Sequence, residues 1–135
     1  MLNYESIKVG DQLPSRDHTA NIVQLFMYNA AIWNPHRIHF DHAYATGEEG
    51  YPGIVLDGPL QGDWISQVVT DWIGEDAALV SFGYANRRAA FLGETMTAGG
   101  VVEEKDDSKK EVKVSLYLKN ADGDITIPGN AVLKF

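Results

Sequence analysis

The chain has 135 residues, 44% hydrophobic and 22% charged, the balance of a single globular domain with enough apolar material for a core. Its formal charge of −8 argues against nucleic acid as a partner, because phosphate binding needs a concentrated positive field; a few local arginines can still hold a small anion. With no cysteine, a disulfide framework and a thiolate zinc site are excluded, which fits a cytoplasmic location.

No apolar leader follows Met1, and no run approaches the roughly 20 apolar residues of a spanning helix, so no membrane association is expected. The opening "YESIKVGDQLPSRDHT" reads as an irregular or extended arm, broken by Gly10-Asp11 and Pro14. Thr19 is placed to cap a helix over "ANIVQLFMYNAAIW". In it Ile22, Leu25, Phe26, Asn29 and Ile32 or Trp33 recur at helical spacing, and Pro35 ends the run. The polar "DHAYATGEEGYPG" reads as a loop.

A second helix is written more strongly. In "GPLQGDWISQVVTDWIGED" apolar residues fall at Leu60, Trp64, Ile65, Val68, Val69, Trp72 and Ile73, a stripe wide enough for a helix wrapped by a sheet. Pro59 suits its first turn and Gly74 its C-terminal cap. Four strand candidates follow: "ALVSFGYANRRAAF", "ETMTAGGVVEEK", "EVKVSLYLK" and "DITIPGNAVLKF", with turns at "DDSKK" and Asp122-Gly123. In the third, Val112, Val114, Leu116 and Leu118 alternate with polar partners. The order predicts one α+β domain over 1–135, two helices and then an antiparallel sheet curved around the longer one.

The densest chemistry lies in "NPHRIHFDH", Asn34 to His42. His36, His39 and His42 at intervals of three suit a metal only on a regular helix, which Pro35 and the weak periodicity oppose; no metal is expected. Acid–base chemistry fits better, since a histidine near its usual pKa of ~6.5 takes and returns a proton at neutral pH. "LDGPLQG" adds an oxyanion donor: Gly58 opens the long helix, where backbone N–H groups and the positive end of the dipole face outward.

These segments together, "RIHFDHAYA", "GYPGIVLDGPL", the long apolar helix and "RRAAFLGETMTAGGVV", resemble the MaoC-like hydratase/dehydratase family over nearly the whole chain. The likeness is greatest to the branch of 3-hydroxyacyl-thioester dehydratases reading "N-x-H-R-I-H-x-D". The resemblance implies a hotdog fold, a long central helix wrapped by an antiparallel sheet. It also implies reversible addition of water across a 2-enoyl thioester of coenzyme A or acyl carrier protein, with no separate cofactor.

Residue by residue, the R-specific hydratase motif D-x-N-P-x-H aligns in step with "HFDHAYA" when His39 takes the histidine position. Aligning Asn34-Pro35 with its N-P instead puts Ile32 and Arg37 at the reactive positions and leaves no chemistry. His39 then inherits the general acid/base role, but Asn34 stands where the hydratases keep an acid. An amide orients water without exchanging protons, so Asn34 is expected to position it. Asp57, directly before Gly58, is either the substitute acid or simply a favourable helix cap. Arg37, Arg87 and Arg88 are candidates for coenzyme A phosphates, each against the alternative of an ion pair with one of the 19 acidic residues. On a strand only one of Arg87 and Arg88 faces the site. His36 is a further ligand-facing candidate, and Tyr51 a lining residue of the acyl pocket. A single hotdog leaves its sheet incomplete, so a homodimer or a heteromer with a homologous subunit is expected. The alternatives are a hotdog thioesterase and a non-catalytic acyl-binding subunit of a heteromer.

Overall fold

A computed structural model describes residues 2–135. Strand β1 spans Gln12–Thr19, helix α1 Ile22–Ala31 and helix α2 Gly58–Ile73; strands β2 to β5 span Ala78–Tyr84, Thr95–Asp106, Glu111–Lys119 and Ile125–Lys134. The strands form one antiparallel sheet in the order β1-β3-β4-β5-β2. This is the α+β hotdog architecture, and α2 is its central helix.

Helix α2 begins where the sequence says it should. Asp57 is its N-cap, with Oδ1 accepting the Leu60 N–H at 3.1 Å, and Pro59 occupies the first turn. It ends at Gly74, whose φ of 51° is a conformation that favours glycine. The predicted stripe is buried: Leu60, Trp64, Ile65, Val68, Val69 and Ile73 face the sheet, with Trp72 packed at its margin. Each full burial contributes ~1.5–3 kcal/mol. From β4, Val112, Val114, Leu116 and Leu118 meet them, all fully buried as the alternation requires. Register shifts at Leu13/Arg16, Leu79/Ser81 and Val102/Glu104 bend the strands around the helix.

Several expectations are corrected. The N-terminal arm, read as irregular or extended, is strand β1 from Gln12, paired with β3 on both sides of a register shift at Pro14 and Ser15, where the proline's missing N–H costs no ladder bond. Thr19 therefore ends a strand, and Asn21 caps α1 by accepting the Gln24 N–H at 2.9 Å. Of the α1 stripe only Leu25 and Asn29 are buried; Ile22, Phe26, Ile32 and Trp33 are exposed because α1 lies on the rim and touches the body along one narrow face. The segment read as a loop carries a π-helical turn at Tyr44–Glu48. Finally, β2 stops at Tyr84, so Arg87 and Arg88 lie beyond the strand and strand alternation does not govern them. No helix among the described residues is long and apolar enough to cross a membrane.

Candidate active site

Three segments converge beside the N-terminus of α2. Helix α1 closes with Trp33 at φ 58° and the Asn34 N–H on the Asn29 carbonyl at 2.8 Å, which delivers Asn34 toward the body. A single 3-10 turn, Arg37–His39, then buries His39. The extended residues 54–57 run alongside, held by Val55 N–H to the Ile38 carbonyl and Leu56 N–H to the Ala90 carbonyl, and end in the helix cap Asp57.

His39 Nδ1 sits 2.8 Å from the Val55 carbonyl oxygen. A carbonyl only accepts, so in the neutral ring Nδ1 carries the hydrogen and Nε2 keeps the lone pair. Nε2 lies 3.9 Å from Asp57 Oδ2, beyond a hydrogen bond, so the carboxylate faces the nitrogen that a proton would occupy. Asp57 is fully buried. A buried carboxylate requires donors, and it has two: the Leu60 N–H on Oδ1 and the Asn34 amide on Oδ2, at 2.6 Å.

Both ends of Asn34 are thereby engaged, since its Oδ1 accepts the His36 N–H at 3.2 Å. The amide that replaces the expected acid holds a carboxylate brought from another element. Asn34 thus faces Asp57, where the sequence suggested that it faces water.

His39 and Gly58 line a cavity of about 290 Å³ together with Val55, Leu56, Gln61, Asn86 and the Arg87–Ala89 segment. Both arginines reach this cavity. Arg88 is paired with Asp124 at 2.9 Å, whereas Arg87 makes no side-chain ion pair among the described residues. A β-carbon on Gly58 would sit 2.6 Å from Asn86 Nδ2, so glycine is what lets this amide approach the helix N-terminus.

The other candidates lie apart from this cavity. Arg37 pairs with Asp41 at 2.8 Å and lies 4.2 Å over the Tyr44 ring; with His36 and Asn34 it borders a separate hollow of about 420 Å³. The His36 ring is 5.8 Å from the His39 ring. Tyr51 is half-buried, its ring 6.2 Å from Phe91 and outside the cavity lining. His42 is exposed.

Two polar residues of the lining, Gln61 and Asn86, were not among the sequence candidates. Gln61 could have been found, as a polar residue inside the apolar stripe of α2 and one turn after the cap. Asn86 carries no such signal, because its place is set by the path from β2 to β3.

The family model described as hydroxyacyl-thioester dehydratase type 2 matches residues 5–92, nearly two thirds of the chain. A mesaconyl-C(4)-CoA hydratase of Chloroflexus aurantiacus is 58% identical over 36 residues, 27% of this chain and 13% of that protein. A mitochondrial hydroxyacyl-thioester dehydratase type 2 of Schizosaccharomyces pombe is 45% identical over 42 residues, 31% of this chain and 14% of that protein. The chain thus matches only a small part of the length of these curated relatives. Among solved structures, an (R)-hydratase from A. caviae involved in PHA biosynthesis superposes with TM-score 0.88 at 17% identity, covering 97% of this chain and 98% of that one. A MaoC-like dehydratase gives 0.90 at 20% identity, over 98% and 42%. One chain of the ChsH1-ChsH2 complex from Mycobacterium tuberculosis gives 0.82 at 21%, over 95% and 98%. At these identities the structural likeness establishes the hotdog fold.

Proposed function

Because the chain belongs to the hydroxyacyl-thioester dehydratase type 2 family, we propose that it is a hydro-lyase adding or removing water across the 2,3-bond of an acyl thioester. The observation that carries this reading is the buried Asp57 carboxylate 3.9 Å from the one free nitrogen of His39, at the mouth of a helix N-terminus.

In the hydration direction, His39 Nε2 takes one proton from water as the oxygen bonds to C3. The π pair of the 2,3-bond moves toward the thioester carbonyl, and the developing oxyanion is met by the Gly58 N–H and the helix dipole. The same Nε2 then returns its proton to C2, so water is added without net change to the protein. Asp57 faces the nitrogen that carries the proton and offsets its transient positive charge. Asn34 and the Leu60 N–H hold that carboxylate in place. Arg87, in the cavity wall and without a side-chain ion pair among the described residues, is the candidate for a phosphate of coenzyme A.

Incubation of the protein with crotonyl-CoA and longer 2-enoyl-CoAs tests the reading. Loss of enoyl absorbance is expected, and His39→Ala abolishes it; turnover surviving that substitution removes His39 from this role. Release of free thiol instead would mark a thioesterase.

A second reading has its own support. The similar structures include the ChsH1-ChsH2 complex and the HadBC dehydratase complex of Mycobacterium tuberculosis, both built from two kinds of subunit. On that reading the chain acts as one subunit beside a homologous hotdog subunit, and turnover requires the partner. In either case a dimer fits the two free sheet edges, β1 and β2.

A further inference from the structure

Gln61 lies in the first turn of α2, and its side chain is 3% exposed. Its Nε2 donates to the carbonyls of Leu56 and Asp57, at 3.2 and 3.3 Å. Two carbonyl acceptors fix which end of the amide is the nitrogen, so the other end is the oxygen. That oxygen, Oε1, is buried and has no hydrogen-bond partner among the described residues. A buried acceptor without a donor is unfavourable, and proteins keep one mainly where a ligand or a water completes it. Gln61 also lines the cavity with His39 and Gly58. An oxygen left without a donor on a residue of that wall can be completed by a donor on a molecule bound there.

The donors that the substrate offers near the reacting carbons are few. The thioester carbonyl only accepts, and the enoyl carbons carry no polar hydrogen. The polar hydrogens beside C3 belong to the water that is added, or to the 3-hydroxyl that results. Water brings two: one goes to His39 Nε2 and the other stays on oxygen. We propose that Gln61 Oε1 accepts the hydrogen that stays. This rests on the hydro-lyase reading for the identity of the ligand. The amide thereby turns the water's lone pair toward C3 in hydration, and recognises the 3-hydroxyl in dehydration. It exchanges no proton; it touches the transferred oxygen and orients it.

The consequence is a preference for one oxygen atom. 3-Hydroxybutyryl-CoA and butyryl-CoA differ only in the C3 hydroxyl, so their dissociation constants, measured by calorimetry, isolate the contact. The wild type is expected to bind the hydroxy ligand about tenfold more tightly. In Gln61→Met, of similar length and without the acceptor, both ligands should bind with the butyryl-CoA affinity. Equal affinities in the wild type overturn the proposal without any variant. So does a Gln61→Met protein that keeps the preference, or one that loses butyryl-CoA binding to the same extent, which would assign Gln61 to the pantetheine amide or to the fold. Formation of enoyl absorbance from the hydroxy ligand is followed in the same samples. Preference without turnover sinks the hydro-lyase reading alone, and turnover without preference sinks this one alone.

Discussion

Asp57 has two tasks that one substitution separates. It caps α2 through Oδ1, and it presents Oδ2 to His39. Asp57→Asn keeps a cap acceptor and nearly the same volume while removing the charge. Turnover of crotonyl-CoA is expected to fall about a hundredfold, with little change in thermal midpoint. Asp57→Ala removes both and should cost a further ~1 kcal/mol of stability, read from urea unfolding. An Asp57→Asn protein as active as wild type would reduce Asp57 to a cap. His18 offers a separate pH signal. Its ring stacks on Trp64 with centroids 4.7 Å apart, its Nε2 is buried with no hydrogen-bond partner among the described residues, and burial, with Arg16 adding to it, lowers its pKa below the usual 6.5. The unfolded chain therefore binds a proton at His18 more readily than the folded one. The stability this contributes is complete above 6.5 and is lost as pH falls through the lower folded value. In His18→Phe, which keeps a stacked ring, the decline in urea midpoint below that pH should be shallower; an identical slope would contradict the assignment.

Helix α2 is the element on which core and site both depend, and its two faces respond differently to change. On the sheet face, Ile65 is fully buried, and Ile65→Ala should destabilise by ~2–5 kcal/mol through lost contacts and a cavity. Toward β2, the Tyr84 ring lies directly over Gly62, where a β-carbon would overlap it. Gly62→Ala is expected to cost ~1–3 kcal/mol, because ring or helix must shift in a packed layer. Denaturant titration measures both; a neutral Gly62→Ala would mean that Tyr84 swings away freely.

For the molecule as a whole, the sheet ends at β2 with unpaired backbone groups and an outward Val80, 58% exposed. Such an edge invites pairing with another chain. If β2 is where copies or homologues join, Val80→Lys should shift the protein toward monomer in sedimentation velocity, leaving its circular dichroism unchanged. An unchanged sedimentation coefficient would move the interface elsewhere. Val23, Phe26 and Met27 of α1, with Trp33 in the turn after it, form a further exposed apolar surface.

Local sequence determined what local physics controls. The cap at Asp57, the stop at Gly74, the apolar stripe of α2 and the alternation of β4 are all legible, because a 3.6-residue or two-residue period reports one-sided burial directly. His39 and Gly58, which the fold brings to one cavity wall, stand out in the sequence as well, the first through the motif it sits in and the second through its place at a helix start. The narrow contact of α1 was not, since a stripe on the rim reads like one in the core until its neighbours are placed. The pairing of Asn34 with Asp57, 23 residues apart in the chain, was decided only by tertiary structure. A side chain's chemistry depends on the group opposite it. The same amide orients water in an open pocket or tethers a carboxylate in a closed one, and only the fold determines which.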